Sequence, residues 1–177
     1  MTAKGDLMTR IELAKKGIIT DEVKLVASEE GLTPEQLSGD IASGVSVIPI
    51  NINHKIKPLG IGKNMRTKIN ANIGTSKDRI SVDDEMEKLE VLVKYGADAV
   101  MDLSTGGPIK ELRNMMIKKS PIAVGTVPIY EAAVCAAEKK GSIAKMTVDD
   151  LFKVIEEHAE EGVDFITVHS GLTMKAV

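Results

Sequence analysis

The chain has 177 residues, 43% of them hydrophobic, with 23 Lys and Arg against 26 Asp and Glu for a net charge of −3. That is enough apolar material for one folded domain or part of a larger one, and it excludes a disordered tail. The acidic balance disfavours nucleic-acid binding through backbone charge, and a 2% aromatic share without Trp leaves too little for base-stacking platforms or membrane aromatic belts. The single cysteine, Cys135, excludes an internal disulfide framework and any metal or cluster site built from several cysteines of this chain. The N-terminal stretch over residues 1–13 has no apolar core of signal-peptide length, and no apolar run approaches a membrane span. The expectation is a soluble cytoplasmic protein with no membrane or nucleic-acid partner.

The first forty residues read as short, well-punctuated helices. Thr9 to Lys16 is amphipathic and stops at Gly17, and Thr20-Asp21-Glu22 opens a second segment with a capping hydroxyl and acids in the first turn. Thr33-Pro34-Glu35-Gln36 is a capping box with Pro at the first helical position, and Gly44 ends that helix. Residues 45–52 look extended, and Pro49 makes them an edge or irregular strand. From about residue 67 strands alternate with helices: strands over 68–74, 97–103, 122–128 and 163–169, and helices over 82–95, 109–118, 131–139 and 147–161.

Alternation of this kind predicts an α/β fold with a parallel sheet. Strand ends near Asn72, Met101, Tyr130 and His169 lie 29, 29 and 39 residues apart. The spacing fits a (β/α)8 barrel at roughly 31 residues per unit, and a doubly wound sheet almost as well. Both architectures place chemistry at the carboxyl ends of the strands. There the sequence offers the amide of Asn72, the thioether of Met101, the hydroxyl of Tyr130 and the imidazole of His169. For three of them a structural role competes: Asn72 as a loop-backbone partner, Met101 as core filler, and Tyr130 as wall packing. His169 is the foremost functional candidate. Ser104-Thr105-Gly106-Gly107, ahead of a helix, could present backbone N–H groups to a phosphate. Asp102 reads as a helix or loop cap, Cys135 as a small buried residue, and His158 as part of a solvated helix face among Glu156, Glu157, Glu160 and Glu161. His54 reads either way. No Walker loop, GxGxxG after a strand, HExxH or GxSxG occurs.

Several strings, in order along the chain, resemble the N-terminal part of the phosphomethylpyrimidine synthase family of thiamine biosynthesis. They are Ala14-Lys15-Lys16-Gly17-Ile18-Ile19-Thr20-Asp21-Glu22, Val47-Ile48-Pro49-Ile50-Asn51-Ile52-Asn53-His54, and Lys68-Ile69-Asn70-Ala71-Asn72-Ile73-Gly74-Thr75-Ser76. Three more follow: Val100 to Gly107, Val124 to Tyr130, and Gly162 to Gly171. The resemblance implies a radical S-adenosylmethionine lyase that converts 5-aminoimidazole ribotide to the hydroxymethylpyrimidine phosphate. It also implies a [4Fe-4S] cluster, zinc and a homodimer, and it makes Asn72, Met101, Tyr130 and His169 substrate contacts.

The family's three cluster cysteines and its zinc-binding histidines lie nearer its C-terminus and have no counterpart here. The expectation is therefore an N-terminal fragment: residues 1–66 as a mainly helical region, and residues 67–177 as the first half of a (β/α)8 barrel, about three and a half units long. The fragment alone is expected to be inactive. The competing readings are a cluster-independent isomerase or aldolase acting on a sugar phosphate, with His169 as acid or base, and a self-standing binding module.

Overall fold

A computed structural model describes residues 8–171 and residue 174. The reading of the extreme N-terminus as free of a signal-peptide core falls partly on residues 1–7, outside the described residues. The chain divides into two compact units: Met1–Pro49 with Pro58–Thr67, and Ile50–Lys57 with Lys68–Val177.

In the first unit the helix starts follow their caps. α1 (Arg10–Lys15) and α3 (Pro34–Ala42) each begin with a capping box, Thr9 with Glu12 and Thr33 with Gln36. α2 (Asp21–Glu30) begins with the Thr20 hydroxyl accepting from the Val23 N–H and ends at Gly31. Val23, Val26, Ala27, Leu37 and Ile41 are buried between them. The extended stretch expected over 45–52 shrinks to β1 (Ser46–Val47), paired antiparallel with β2 (Ile61–Gly62). Pro49 has no N–H to continue a ladder.

The second unit carries the alternation: β3 (Asn70–Ile73), α4 (Val82–Lys94), β4 (Ala99–Asp102), α5 (Ile109–Lys119), β5 (Ala123–Thr126), α6 (Pro128–Lys140), α7 (Val148–Glu161) and β6 (Phe165–Ile166). A 3-10 turn at Ile143–Lys145, absent from the sequence reading, joins α6 to α7. α6 starts at Pro128 rather than Glu131, because proline fits the first helical position. The strands pair in parallel in the order β3-β4-β5-β6.

Register and pleat then decide the two faces of the sheet. Ile73, Val100 and Val124 point one way and form the core with Met86 and Leu89 of α4 and Leu112, Met116 and Ile117 of α5. Thr126 points the same way and meets His158 of α7, which in turn meets Glu131 of α6. All four helices therefore lie on that face. The opposite face carries Asn70, Asn72, Met101, Phe165 and Thr167, exposed or half-buried. Gly125 lies on this second face beside Phe165, whose ring occupies the space where a Cβ would stand.

β6 is shorter than the expected strand over 163–169. As an edge strand it keeps only two paired residues, extended by the Asp164 N–H to Val124 O (2.9 Å) and the Thr167 N–H to Thr126 O (2.8 Å). The expected division near residue 66 put residues 50–57 in the first region; in the structure they group with the second unit. Their hydrogen bonds explain why. The Asn51 side-chain amide donates to Ala159 O and Val163 O, that of Asn53 to Glu160 O, and the Asn51 N–H to Asp164 Oδ1.

Gly125→Val puts a branched side chain into the Phe165 ring. We expect a loss of about 1–3 kcal/mol in urea unfolding, and an unchanged midpoint would contradict this packing.

Candidate functional site

The carboxyl edge of the sheet is stiffened before any functional side chain is considered. Gly74, at φ +148°, brings its backbone so close to β4 that a Cβ would stand 2.6 Å from the Ser104 nitrogen. The loops after β3 and β4 are laced together by Thr75 N–H to Ser104 Oγ (3.0 Å), Thr75 Oγ1–H to Gly106 O (2.6 Å) and Thr105 N–H to Thr75 O (2.8 Å). Buried Glu85 of α4 accepts the Gly74 N–H at 2.8 Å. Asp102 accepts both the N–H and the hydroxyl of Ser104, the loop cap anticipated from sequence. Burial pushes its carboxyl above the ordinary value, against the opposing effect of the Ser104 bonds.

This lacing changes the expectation for Ser104 to Gly107. The Ser104 and Thr105 N–H groups are already donated within the loops, so two of the amides proposed to cradle a phosphate are spent.

The four residues singled out from sequence fall in two pairs. Asn72 of β3 and Met101 of β4 are register partners on the face away from the helices. Asn72 is exposed, and its Oδ1 accepts from the Asn70 side-chain amide at 3.0 Å, not from loop backbone. Met101 is half-buried and outside the helix-facing core, so it does not fill that core. Tyr130, in the first turn of α6, and His169, three residues past β6, place their ring centroids 5.9 Å apart at a 43° tilt. Thr167, two residues before His169 on the same strand end, places its hydroxyl 3.7 Å from the Met101 sulfur. The arrangement offers an amide, a thioether and two tilted rings, one phenolic and one imidazole, along one open edge. It suits a flat, polar heterocycle, gripped by hydrogen bonds at its rim and by apolar contact on its face.

On the opposite face lies a buried polar cluster that sequence reasoning missed. Arg113 is fully buried; its Nη1 donates to Glu131 and its Nε to Glu161 at 2.7 Å, while Nη2 has no partner. Glu131 also accepts from His158 Nε2 at 2.7 Å, and His158 Nδ1 meets the Thr126 hydroxyl at 2.8 Å. His158 is thus 2% exposed, not on a solvated face as expected. The acids around it misled the reading: Val154, one turn earlier, marks the buried stripe, and His158 continues it. The same signal was present in α5, where Arg113 sits within the apolar spacing of Ile109, Leu112, Met116 and Ile117. A charge inside an apolar stripe requires a buried partner. The cluster grips Thr126 at the end of β5 and Glu131 beside Tyr130, and so holds the turn that presents the tyrosine.

Layered parallel strands with polar groups at their carboxyl edge have the site layout of α/β enzymes. The chain belongs to the Radical SAM ThiC family, which matches residues 9–177. It is 66% identical over 170 residues to the phosphomethylpyrimidine synthase of Thermodesulfovibrio yellowstonii, 56% over 171 to that of Moorella thermoacetica, and 52% over 170 to that of Methanococcus maripaludis strain C7. Each match covers 96% of this chain and 40% of the relative, so the chain spans about two-fifths of the length of the curated relatives it matches.

The side chains present do not fit the cluster or the zinc that the resemblance implies. Cys135 lies half-buried in α6, and burial raises its thiol away from the thiolate a cluster needs. Among the described residues no group of three or more His, Cys, Asp or Glu side chains could hold a metal ion. Among the described residues, too, no helix is long and apolar enough to cross a membrane.

Glu131 yields a pH prediction. Burial raises its carboxyl, but the hydrogen bond from His158 and the charge of Arg113 outweigh it and hold the group at about 2, against an ordinary 4.5. A depressed carboxylate stabilises the fold above pH 4.5, and the contribution is lost as pH falls toward 2. We expect wild type to lose on the order of 3 kcal/mol across that window, and Glu131→Gln to show a much flatter profile. Equal slopes in urea titrations of the two proteins would contradict this.

Proposed function

We propose that this chain forms the substrate-binding wall of a phosphomethylpyrimidine synthase, the enzyme that makes the hydroxymethylpyrimidine phosphate of thiamine from 5-aminoimidazole ribotide. The observation that carries the reading is the placement of Asn72, Met101, Tyr130 and His169 along one open face and carboxyl edge, as the register pair Asn72–Met101 and the ring pair Tyr130–His169. Family membership and the names of the relatives support it.

We take the second unit as the first four strands of a (β/α)8 barrel. The strand order is sequential, and every helix lies on one face, whereas a doubly wound sheet reverses its order and carries helices on both faces. The uncovered face is then the lumen side. In that setting Asn72 donates to and accepts from the aminoimidazole rim, Met101 packs against its face, and the rings of Tyr130 and His169 close the far side. These residues bind and orient. The radical chemistry is assigned to S-adenosylmethionine and an iron-sulfur cluster whose ligands, like those of zinc, lie outside this chain. The enzyme is taken to work in the cytoplasm as a homodimer. The spent amides of Ser104 and Thr105 leave only those of Gly106 and Gly107 for the phosphate on which the sugar-phosphate isomerase reading relied, and so weaken that reading.

The test is calorimetric titration of the ribotide into a polypeptide of the relatives' length that carries this chain. Asn72→Ala and His169→Ala should each weaken binding about tenfold, the scale of one lost hydrogen bond. Unchanged affinity in both would remove the assignment. The 177-residue chain alone, with its single cysteine, is expected to show no reductive cleavage of S-adenosylmethionine after iron-sulfur reconstitution; cleavage would contradict the account.

A further inference from the structure

β6 has a problem that its neighbours do not. It pairs over two residues, at the edge of the described sheet, and a strand with so short a ladder is weakly held in register. Register matters more here than anywhere else in the unit. A slip by one residue would turn Phe165, Thr167 and His169 to the helix side and bring Ile166 and Val168 to the open face. His169 would then lose the ring of Tyr130.

Asp164, immediately before β6, supplies what the ladder lacks. Its side chain is fully buried. Oδ2 accepts the Val124 N–H at 2.8 Å, so a side-chain oxygen takes a β5 donor that faces β6, while the Asp164 N–H donates to Val124 O at 2.9 Å. Residue 164 is thereby clamped to residue 124 from both sides. Two further donors hold the carboxylate: the Asn51 N–H to Oδ1 at 2.8 Å and His54 Nδ1 to Oδ2 at 2.7 Å. The other ring nitrogen, His54 Nε2, lies 3.2 Å from Ser120 O. A carboxylate and a carbonyl can only accept, so the His54 ring donates at both nitrogens and ties Asp164 to the segment before β5. The ring is 6% exposed.

We propose that Asp164, braced by His54 and Asn51, is a positioning residue that fixes the register of β6 on β5 and so delivers His169 to the face of Asn72 and Met101, beside Tyr130. The pair acts from the amino end of the strands on a residue at their carboxyl end, through the strand itself. The functional consequence rests on the reading of His169 and Tyr130 as substrate contacts; the register device does not.

The test is nuclear magnetic resonance of the 177-residue chain. Wild type should show cross-relaxation between the Tyr130 and His169 ring protons, and protection of the Thr167 amide from hydrogen exchange. His54→Phe keeps the ring volume and removes both donors. We expect it to lose the ring contact and to speed Thr167 exchange at least about tenfold relative to Leu89 in α4. His54→Gln, which restores a donor, should recover most of both. A purely structural role would speed Leu89 and Thr167 alike; that result, or a ring contact that survives in His54→Phe, overturns the proposal. So does a glutamine variant no better than the phenylalanine one. Should His54→Phe not fold, wild type decides: protection of Thr167 together with Val124 supports the clamp, and a Thr167 amide exchanging at the unfolded rate overturns it. No ligand enters these readouts. Unchanged ribotide affinity in both Asn72→Ala and His169→Ala would remove the substrate assignment and leave the clamp standing, and a failed clamp leaves the assignment standing.

Discussion

Parallel strands taken up in sequential order force their crossover helices onto one side of the sheet, because each right-handed crossover advances in the same direction. The arrangement of the second unit follows from that constraint. The helix-covered face is committed to packing, with Val100, Leu112, Met116 and Val124 fully buried. Residues at alternate positions on the same strands are left facing the other way, where Asn72, Met101 and Thr167 stand. A sheet built so separates stability from chemistry by the two-residue pleat alone.

Two buried polar groups hold the boundary between those faces. At the carboxyl end, Arg113, Glu131 and His158 reach from three helices to the Thr126 hydroxyl and fix the turn into α6. At the amino end, Asp164 gathers donors from Asn51, His54 and Val124. His54 shows how strongly such a pairing acts: burial lowers its affinity for a proton, yet the hydrogen bond and charge of Asp164 leave it raised overall. Buried charges of this kind cost solvation that partners offset: the Asp164 carboxylate accepts from three donors, whereas Arg113 keeps Nη2 unpartnered. Both clusters flank the strands that present Tyr130 and His169, and neither touches the open face.

Local chemistry was readable in the sequence. The capping hydroxyls of Thr20 and Thr33 mark helix starts that the structure keeps, because a cap depends on residues three positions away. The α/β alternation was equally plain. What failed to show depends on distance in the chain. His158 was assigned to solvent because its acidic neighbours in sequence are not its neighbours in space; Thr126 and Glu131 are, 32 and 27 residues away. Residues 50–57 gave no sign of belonging to the second unit, because their partners lie more than 100 residues on. The short β6 could not be told from a full strand, since its composition is apolar and β-branched while its pairing ends at the edge. The strand-end residues were legible because they combine a position set by spacing with side chains able to bind.

The central claim is that the open face and carboxyl edge of this sheet form the wall against which an aminoimidazole ribotide is held. A crystal structure with the ribotide bound, of a polypeptide of the relatives' length carrying this chain, tests it most directly. The account predicts the heterocycle within hydrogen-bonding distance of Asn72 and His169, with Met101 and Tyr130 in van der Waals contact. A ribotide seated on the helix-covered side, or away from all four residues, would contradict it.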